Sequence, residues 1–181
     1  MKKEAEPKIK DSSEVGITLD SYEDIFSDFD PRPYSAKGLS EDFLFEARRA
    51  AISKYPNKIS LIMMLPKAKR NSKQEVVIKK RLKDYFRERY NFSMKEKRRV
   101  VKEGIIFTVI GIILMVAVSY VYFIFNKETV LASFLTILLE PASWFLFWEG
   151  LDLLIFDSKK EKPDLEFYRE MAGADISFVS S

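Results

Sequence analysis

Residues 104–125 read GIIFTVIGIILMVAVSYVYFIF, a run of 22 residues without a formal charge. A helix of that length rises about 33 Å, which matches a bilayer hydrocarbon core of about 30 Å. So many consecutive apolar residues are also difficult to bury inside a protein of 181 residues. The run therefore predicts a transmembrane helix, and it decides how the rest of the chain is interpreted.

A second apolar run, residues 129–156, follows after only three residues, Asn126-Lys127-Glu128. Such a short break predicts that the spans 104–125 and 129–156 form a helical hairpin. Lysine and arginine are abundant just before the first span and just after the second, whereas the turn contains one lysine. By the positive-inside rule, we expect a multi-pass protein of the cell inner (plasma) membrane with both termini in the cytoplasm.

Half of the basic residues, 15 of 30, lie in residues 67–102, together with only four acidic residues. Basic side chains beside a membrane attract anionic inner-leaflet lipids. The candidates for this contact are Lys95, Lys97, Arg98, Arg99 and Lys102. Alternatively, these residues bind no specific ligand: they set the orientation of the chain in the membrane and lie on a helix face in contact with water. Binding to nucleic acid is not expected, because the segment adjoins the membrane.

Three carboxylates fall in or near the second apolar run: Glu140, Glu149 and Asp152. A carboxylate at the centre of a bilayer costs about 2.5–3.5 kcal/mol on insertion scales, so such a group normally faces protein or water. Glu140 is followed by Pro141, which removes one backbone hydrogen bond and favours a kink. Three interpretations remain open. Glu140 handles protons or ions inside an oligomer, or it is protonated and hydrogen-bonded within the hairpin, or the span begins later, with Glu149 and Asp152 near the cytoplasmic surface and Glu140 deep.

The segments on either side of the hairpin predict one small cytoplasmic domain. We divide the chain into a disordered tail (1–15), an acidic loop and helix (16–58), a strand plus basic amphipathic helix (59–103), the hairpin (104–156) and a closing helix and strand (157–181). The amphipathic helix weakens at residues 91–93, and strands 59–65 and 175–179 are predicted to lie side by side. The predicted class is an α+β membrane protein, with a two-helix transmembrane hairpin inserted between strand-helix and helix-strand halves.

Several short motifs follow one another in a characteristic order over residues 28–179. They are Asp30-Pro31-Arg32-Pro33, Leu65-Pro66, Arg81-Leu82 with Tyr85-Phe86, Gly104 with Gly111, Ser143-Trp144 with Trp148-Glu149, and Phe167-Tyr168-Arg169 with Ala174-Asp175-Ile176. In this order the chain resembles an uncharacterised family of prokaryotic two-span membrane proteins with a small cytoplasmic α+β module. The resemblance implies an architecture and no activity, because no reaction is assigned to that family.

The composition removes most enzyme chemistry from consideration. The chain has no cysteine and no histidine, so thiolate zinc sites, cysteine nucleophiles and the commonest general base are all absent. The six glycines are scattered and form no phosphate-binding loop. We therefore predict no catalytic, cofactor or metal site, and we expect that the chain is not an enzyme.

Two functional hypotheses remain. The preferred one is a membrane-anchored scaffold, sensor or accessory subunit that acts through its cytoplasmic module. The alternative is a small oligomeric channel or membrane-perturbing effector that uses Glu140. The expected partners are the lipid bilayer with its anionic inner-leaflet lipids, and either further copies of the chain or another membrane protein.

Overall fold

The computed structural model describes residues 14–52, 59–125, 129–160 and 162–180. The chain divides into two compact units. Unit 1 comprises residues 1–91 and 164–181, and unit 2 comprises residues 92–163, which are inserted into it. The predicted disordered tail, residues 1–15, lies outside the described residues except for its last two, which begin the first strand.

Unit 1 alternates strands and helices along the chain. Strand β1 (Glu14–Thr18) leads through a 3-10 turn (Tyr22–Ile25) to helix α1 (Glu41–Ile52). Strand β2 (Ser60–Leu65) is followed by helix α2 (Ser72–Phe125), which continues into unit 2. Unit 2 also holds α3 (Val130–Asp152), a π-helical turn (Leu153–Asp157) and the short α4 (Ser158–Lys160). Helix α5 (Lys162–Gly173) and strand β3 (Asp175–Ser180) complete the described chain.

The three strands form one parallel sheet in the order β1-β2-β3. Its register places Leu61 between Val15 and Ile176, and Met63 between Ile17 and Phe178. Side chains alternate between the two faces of a sheet, so these six residues share one face. Five of the six are buried and Ile17 is partly buried against the same core, whereas Ile62 and Met64 on the other face remain partly accessible. Crossover connections between parallel strands have one hand. Here they proceed in one direction across the sheet, from β1 to β3, so their helices lie on the same face. This agrees with the deeper burial of that face.

Three helices contribute to the core over that face. The start of α2 buries Ile78, Leu82 and Phe86 completely, at a spacing of four residues. Helix α1 contributes Phe43, Ala47 and Ala51 at the same spacing, and α5 contributes Phe167 and Met171. Residues four apart lie on one side of a helix, so each helix presents a single apolar stripe to the sheet. On α2 this stripe is the apolar side of the predicted amphipathic helix, and Tyr85 packs at its margin.

Glycines bring the two long helices of unit 2 into close contact. A methyl group at Gly111 would lie 2.6 Å from the backbone nitrogen of Phe147, and one at Gly104 would lie 3.0 Å from the carbonyl oxygen of Gly150. Residue numbers rise along α2 as they fall along α3, so the two helices pack antiparallel. Small residues permit this close approach of two backbones.

The predicted fold class is wrong in two respects. The sheet is entirely parallel with helical connections, so unit 1 has α/β character within a mostly helical chain and is not an α+β domain. The two-helix transmembrane hairpin is also contradicted, since among the described residues only α2 is long and apolar enough to cross a membrane. The physical reason lies in α3, whose apolar residues are interrupted by Glu140 and Pro141 and end in a polar last turn.

Two local predictions have different outcomes. The expected weakening of the amphipathic helix at residues 91–93 is wrong, because α2 runs without interruption from Ser72 to Phe125. The expected pairing of residues 59–65 with 175–179 is confirmed, because β2 and β3 are neighbours in the sheet.

Candidate functional site

Four of the five predicted lipid-contacting side chains form a stripe on α2. Lys95, Arg98, Arg99 and Lys102 are all exposed and follow the spacing i, i+3, i+4, i+7. At about 100° per residue this spacing keeps them within an arc of roughly 100° on one side of the helix. We call these four residues the basic stripe. Lys97 is only partly exposed and lies on a different side of α2.

The basic stripe ends immediately before the apolar part of α2. Only Glu103 separates Lys102 from residue 104, where the apolar residues begin. Arg99 forms an ion pair with Glu103 one turn away, with 2.9 Å between Nε and Oε1. A cationic face followed directly by an apolar segment is the arrangement that anchors a helix where lipid headgroups meet acyl chains.

A groove of about 540 Å³ lies between α2 and α3 in unit 2. Its lining from α2 includes Ser119, Tyr122 and Phe123, and its lining from α3 includes Thr136, Glu140 and Trp144. Thr136, Glu140 and Trp144 are four residues apart, so successive turns of α3 contribute one side chain each. The result is a mixed surface with aromatic rings, four hydroxyl groups (Ser119, Tyr122, Thr136 and Ser143) and one carboxylate.

Among the described residues of this lining, Glu140 carries the only carboxylate, and its side chain is exposed. Among the described side chains, none forms a hydrogen bond or an ion pair with that carboxylate. The backbone carbonyl oxygen of Glu140, in contrast, accepts a hydrogen bond from the Ser143 hydroxyl at 2.8 Å. The sequence singled out Glu140, but it did not predict the aromatic and hydroxyl groups beside it.

Glu149 and Asp152 lie elsewhere on unit 2. They line a second depression of about 360 Å³ together with Phe145 and Trp148. Trp148 stacks on Trp144 with ring centroids 6.4 Å apart. The three predicted intramembrane carboxylates therefore do not form one cluster, and only Glu140 lines the groove between the helices.

Unit 1 contains a buried polar network that sequence reasoning missed. Glu75, which is 7% exposed, accepts two hydrogen bonds from Arg70, at 2.9 Å and 3.0 Å. It accepts a third from the Tyr22 hydroxyl at 3.0 Å, and the Asn71 amide donates to the same hydroxyl at 2.8 Å. The Arg70 guanidinium holds the pKa of Glu75 below its ordinary value, and burial opposes that shift. Burial also raises the pKa of Tyr22.

The acidic loop after β1 is tightly cross-linked by local contacts. Asp30 accepts hydrogen bonds from the Arg32 side chain at 2.7 Å and from the Gly38 amide at 2.7 Å. These bonds, with Arg32 foremost, hold the pKa of Asp30 far below its ordinary value. Phe29, beside Asp30, is 98% exposed. Desolvation and a hydrogen bond to Glu23 raise the pKa of Tyr34 to about 12.

A second contact in unit 1 fastens α5 where the chain returns from unit 2. Arg48 on α1 pairs with Asp164 at 2.5 Å. The same guanidinium lies over the Phe167 ring, 5.0 Å from its centroid, and near the Tyr168 ring. Arg48 thereby joins α1 to α5, and it serves the packing of the domain.

Across the ranges 14–52, 59–125, 129–160 and 162–180, no three histidine, cysteine, aspartate or glutamate residues are grouped so that they could hold a metal ion. The features that stand out on the described residues are a cationic stripe, a groove with one carboxylate, and a partly accessible sheet face.

No protein-family model, curated protein or solved structure matches this chain. The resemblance to prokaryotic two-span membrane proteins therefore stays a prediction.

Proposed function

We propose that this protein is a non-enzymatic, membrane-anchored scaffold or accessory subunit, with unit 1 in the cytoplasm. The observation that carries the proposal is the composition of α2, which is one continuous helix. Its first turns supply Ile78, Leu82 and Phe86 to the core of unit 1. The basic stripe follows, and the apolar residues come last. One helix thus carries a domain core, a headgroup-binding face and a membrane anchor in succession.

The sheet of unit 1 constrains how the chain meets the bilayer. Strand β2 precedes α2 and β3 follows unit 2, yet β2 and β3 are paired over six residues. Two paired strands lie on the same side of a membrane. We therefore propose that both parts of unit 1, residues 14–91 and 164–180, lie in the cytoplasm. The basic stripe supports that orientation, because positive residues are retained on the cytoplasmic side.

Anionic inner-leaflet lipids are the proposed ligands of the basic stripe. Each basic side chain near such a surface contributes about 1 kcal/mol, and the attraction falls off within a Debye length. The stripe would thus hold this part of α2 at the headgroups.

A partner surface is also proposed on unit 1. Parallel sheets are normally covered on both faces. Here Ile62 and Met64 on the second face are partly accessible, and Val179 beside them is 39% exposed. An apolar sheet face of this kind suits a second copy of the chain or a companion membrane protein. By binding such a partner on this sheet face, unit 1 would carry out the scaffold or accessory function.

The mass of the complex extracted in mild detergent tests this proposal. We expect the full chain to be recovered with a companion at fixed stoichiometry or as a homo-oligomer. The Ile62→Glu substitution on the sheet face should release the partner. Val76→Glu is the matched control, because Val76 is 69% exposed on α2 and lies outside the core. A wild-type chain that is extracted only as a lone monomer would contradict the scaffold function.

The channel hypothesis stays a prediction. Two helices cannot enclose a path across a membrane, so a channel would require several copies that place their grooves around one axis. Proton or ion flux into liposomes containing the purified chain, lost on Glu140→Gln, would favour the channel over the scaffold.

A further inference from the structure

We infer that the groove between α2 and α3 binds an amphiphile with a cationic ammonium head, and that Glu140 recognises that head. This inference does not depend on the scaffold function. It follows from the chemistry of the lining, which combines one carboxylate, aromatic rings and an open apolar wall.

The carboxylate supplies the charge complement. The side chain of Glu140 is exposed into the groove, and no described side chain neutralises it. A carboxylate in apolar surroundings is costly unless a counter-charge accompanies it. An ammonium group in the groove would meet this requirement directly.

Aromatic rings supply the second recognition element. Tyr122, Phe123 and Trp144 line the groove beside Glu140. The faces of such rings attract cations, and aromatic side chains together with a carboxylate are the usual receptor for a methylated ammonium group. An anionic head would be repelled by Glu140 and would gain nothing from the ring faces.

The shape of the groove favours a ligand with an apolar chain. Its volume of about 540 Å³ exceeds that of an ammonium group alone, and the remaining lining includes Met115 and Val118. Apolar wall of this kind gains free energy when it covers an alkyl chain. The ligand class is therefore an amphiphile, with its head at Glu140 and its chain along α2.

Tryptophan fluorescence provides a direct test. The chain has two tryptophans, and the Trp148→Phe substitution leaves Trp144 in the groove as the sole emitter. The full chain carrying Trp148→Phe, in dodecyl maltoside micelles, is titrated with bromododecyl-trimethylammonium, whose bromine quenches indole on contact. Bromododecyl sulfate is the probe of equal length and opposite charge.

The cationic probe should quench Trp144 saturably, with half-saturation at least about tenfold below that of the anionic probe. Glu140→Gln should raise the half-saturation of the cationic probe about tenfold and leave the anionic probe unchanged or tighter. Glu149→Gln is the matched control. It removes a carboxylate from the second depression and should change the half-saturation of neither probe. Equal quenching by both probes, or a cationic half-saturation indifferent to Glu140→Gln, would overturn the inference.

Free tetramethylammonium distinguishes the two sources of an ammonium group. A lipid head is identified if tetramethylammonium fails to displace the bound probe. Displacement at millimolar concentration would instead identify a soluble organic cation, and it would overturn the part assigned to the apolar chain.

Discussion

The buried network at Glu75 makes the sharpest stability prediction. Glu75→Gln removes the charge from a carboxylate that receives two hydrogen bonds from Arg70 and one from Tyr22. Breaking a fully buried ion pair costs about 3–5 kcal/mol, because the partner charge stays behind. The Arg70 side chain is 30% exposed and keeps some water, so we expect a smaller loss of about 2 kcal/mol.

Hydrogen exchange of β2 in the full chain measures this loss within unit 1. A decrease of about 2 kcal/mol in the free energy of unfolding predicts about 30-fold faster exchange of the β2 amides at neutral pH. Glu46→Gln is the matched control, since Glu46 forms an exposed pair with Arg49 and should change exchange by less than about twofold. Less than about twofold acceleration in Glu75→Gln would refute the assignment of the network as a stabilising element.

The same experiment has a defined pH dependence. The pKa of Glu75 is lowered in the folded chain, foremost by Arg70. A lowered pKa contributes stability above the unfolded value of about 4.3, and that stability is lost as pH falls through the folded value. The wild type and Glu75→Gln should therefore differ most near neutral pH and converge as the pH falls below about 4. A difference that persists unchanged into acid would contradict the electrostatic origin.

Three further predictions follow from the packing and the charges. Gly111→Ala should lower the free energy of unfolding of unit 2 by about 1–3 kcal/mol in thermal unfolding, because the added methyl group meets the Phe147 backbone. Gly173→Ala is the control and should cost almost nothing, because a methyl group there would meet nothing within 4 Å. Phe86→Ala should destabilise unit 1 by about 3–5 kcal/mol in hydrogen exchange, and Phe45→Ala, at a side chain 63% exposed, should not. Replacing the basic stripe with glutamine should reduce the anionic phospholipid retained after mild detergent extraction severalfold, while the same change at Lys73, Lys80, Lys83 and Arg87 in unit 1 should not.

Local periodicity predicted most of unit 1. Residues 59–65 were predicted to form a strand, and β2 occupies Ser60–Leu65 with alternate residues buried. The predicted amphipathic helix buries Ile78, Leu82 and Phe86, which are four residues apart. The α+β class was wrong, although parallel strands require a crossover and every strand here is joined to the next through a helix. That alternation of strand and helix was the available signal for α/β topology.

Long-range contacts could not be predicted in the same way. Tyr22 and Glu75 are 53 positions apart, and nothing in either local sequence indicates that a hydroxyl and a carboxylate will meet. The groove is an intermediate case, because the spacing of Thr136, Glu140 and Trp144 places them on one side of α3. Their partners on α2 depend on the helix register set by Gly104, Gly111 and Gly150. Apolar content alone also overestimated α3 as a membrane span.

Cysteine labelling tests the central claim, a membrane anchor with unit 1 in the cytoplasm, most directly. The natural chain has no cysteine, so Phe29→Cys and Asp175→Cys each introduce a single thiol, at exposed positions before and after unit 2. In intact cells a membrane-impermeant maleimide should label neither variant, both should react after permeabilisation, and both should stay in the membrane fraction at alkaline pH. Labelling of either thiol in intact cells, or release of the protein by alkaline extraction, would contradict the account.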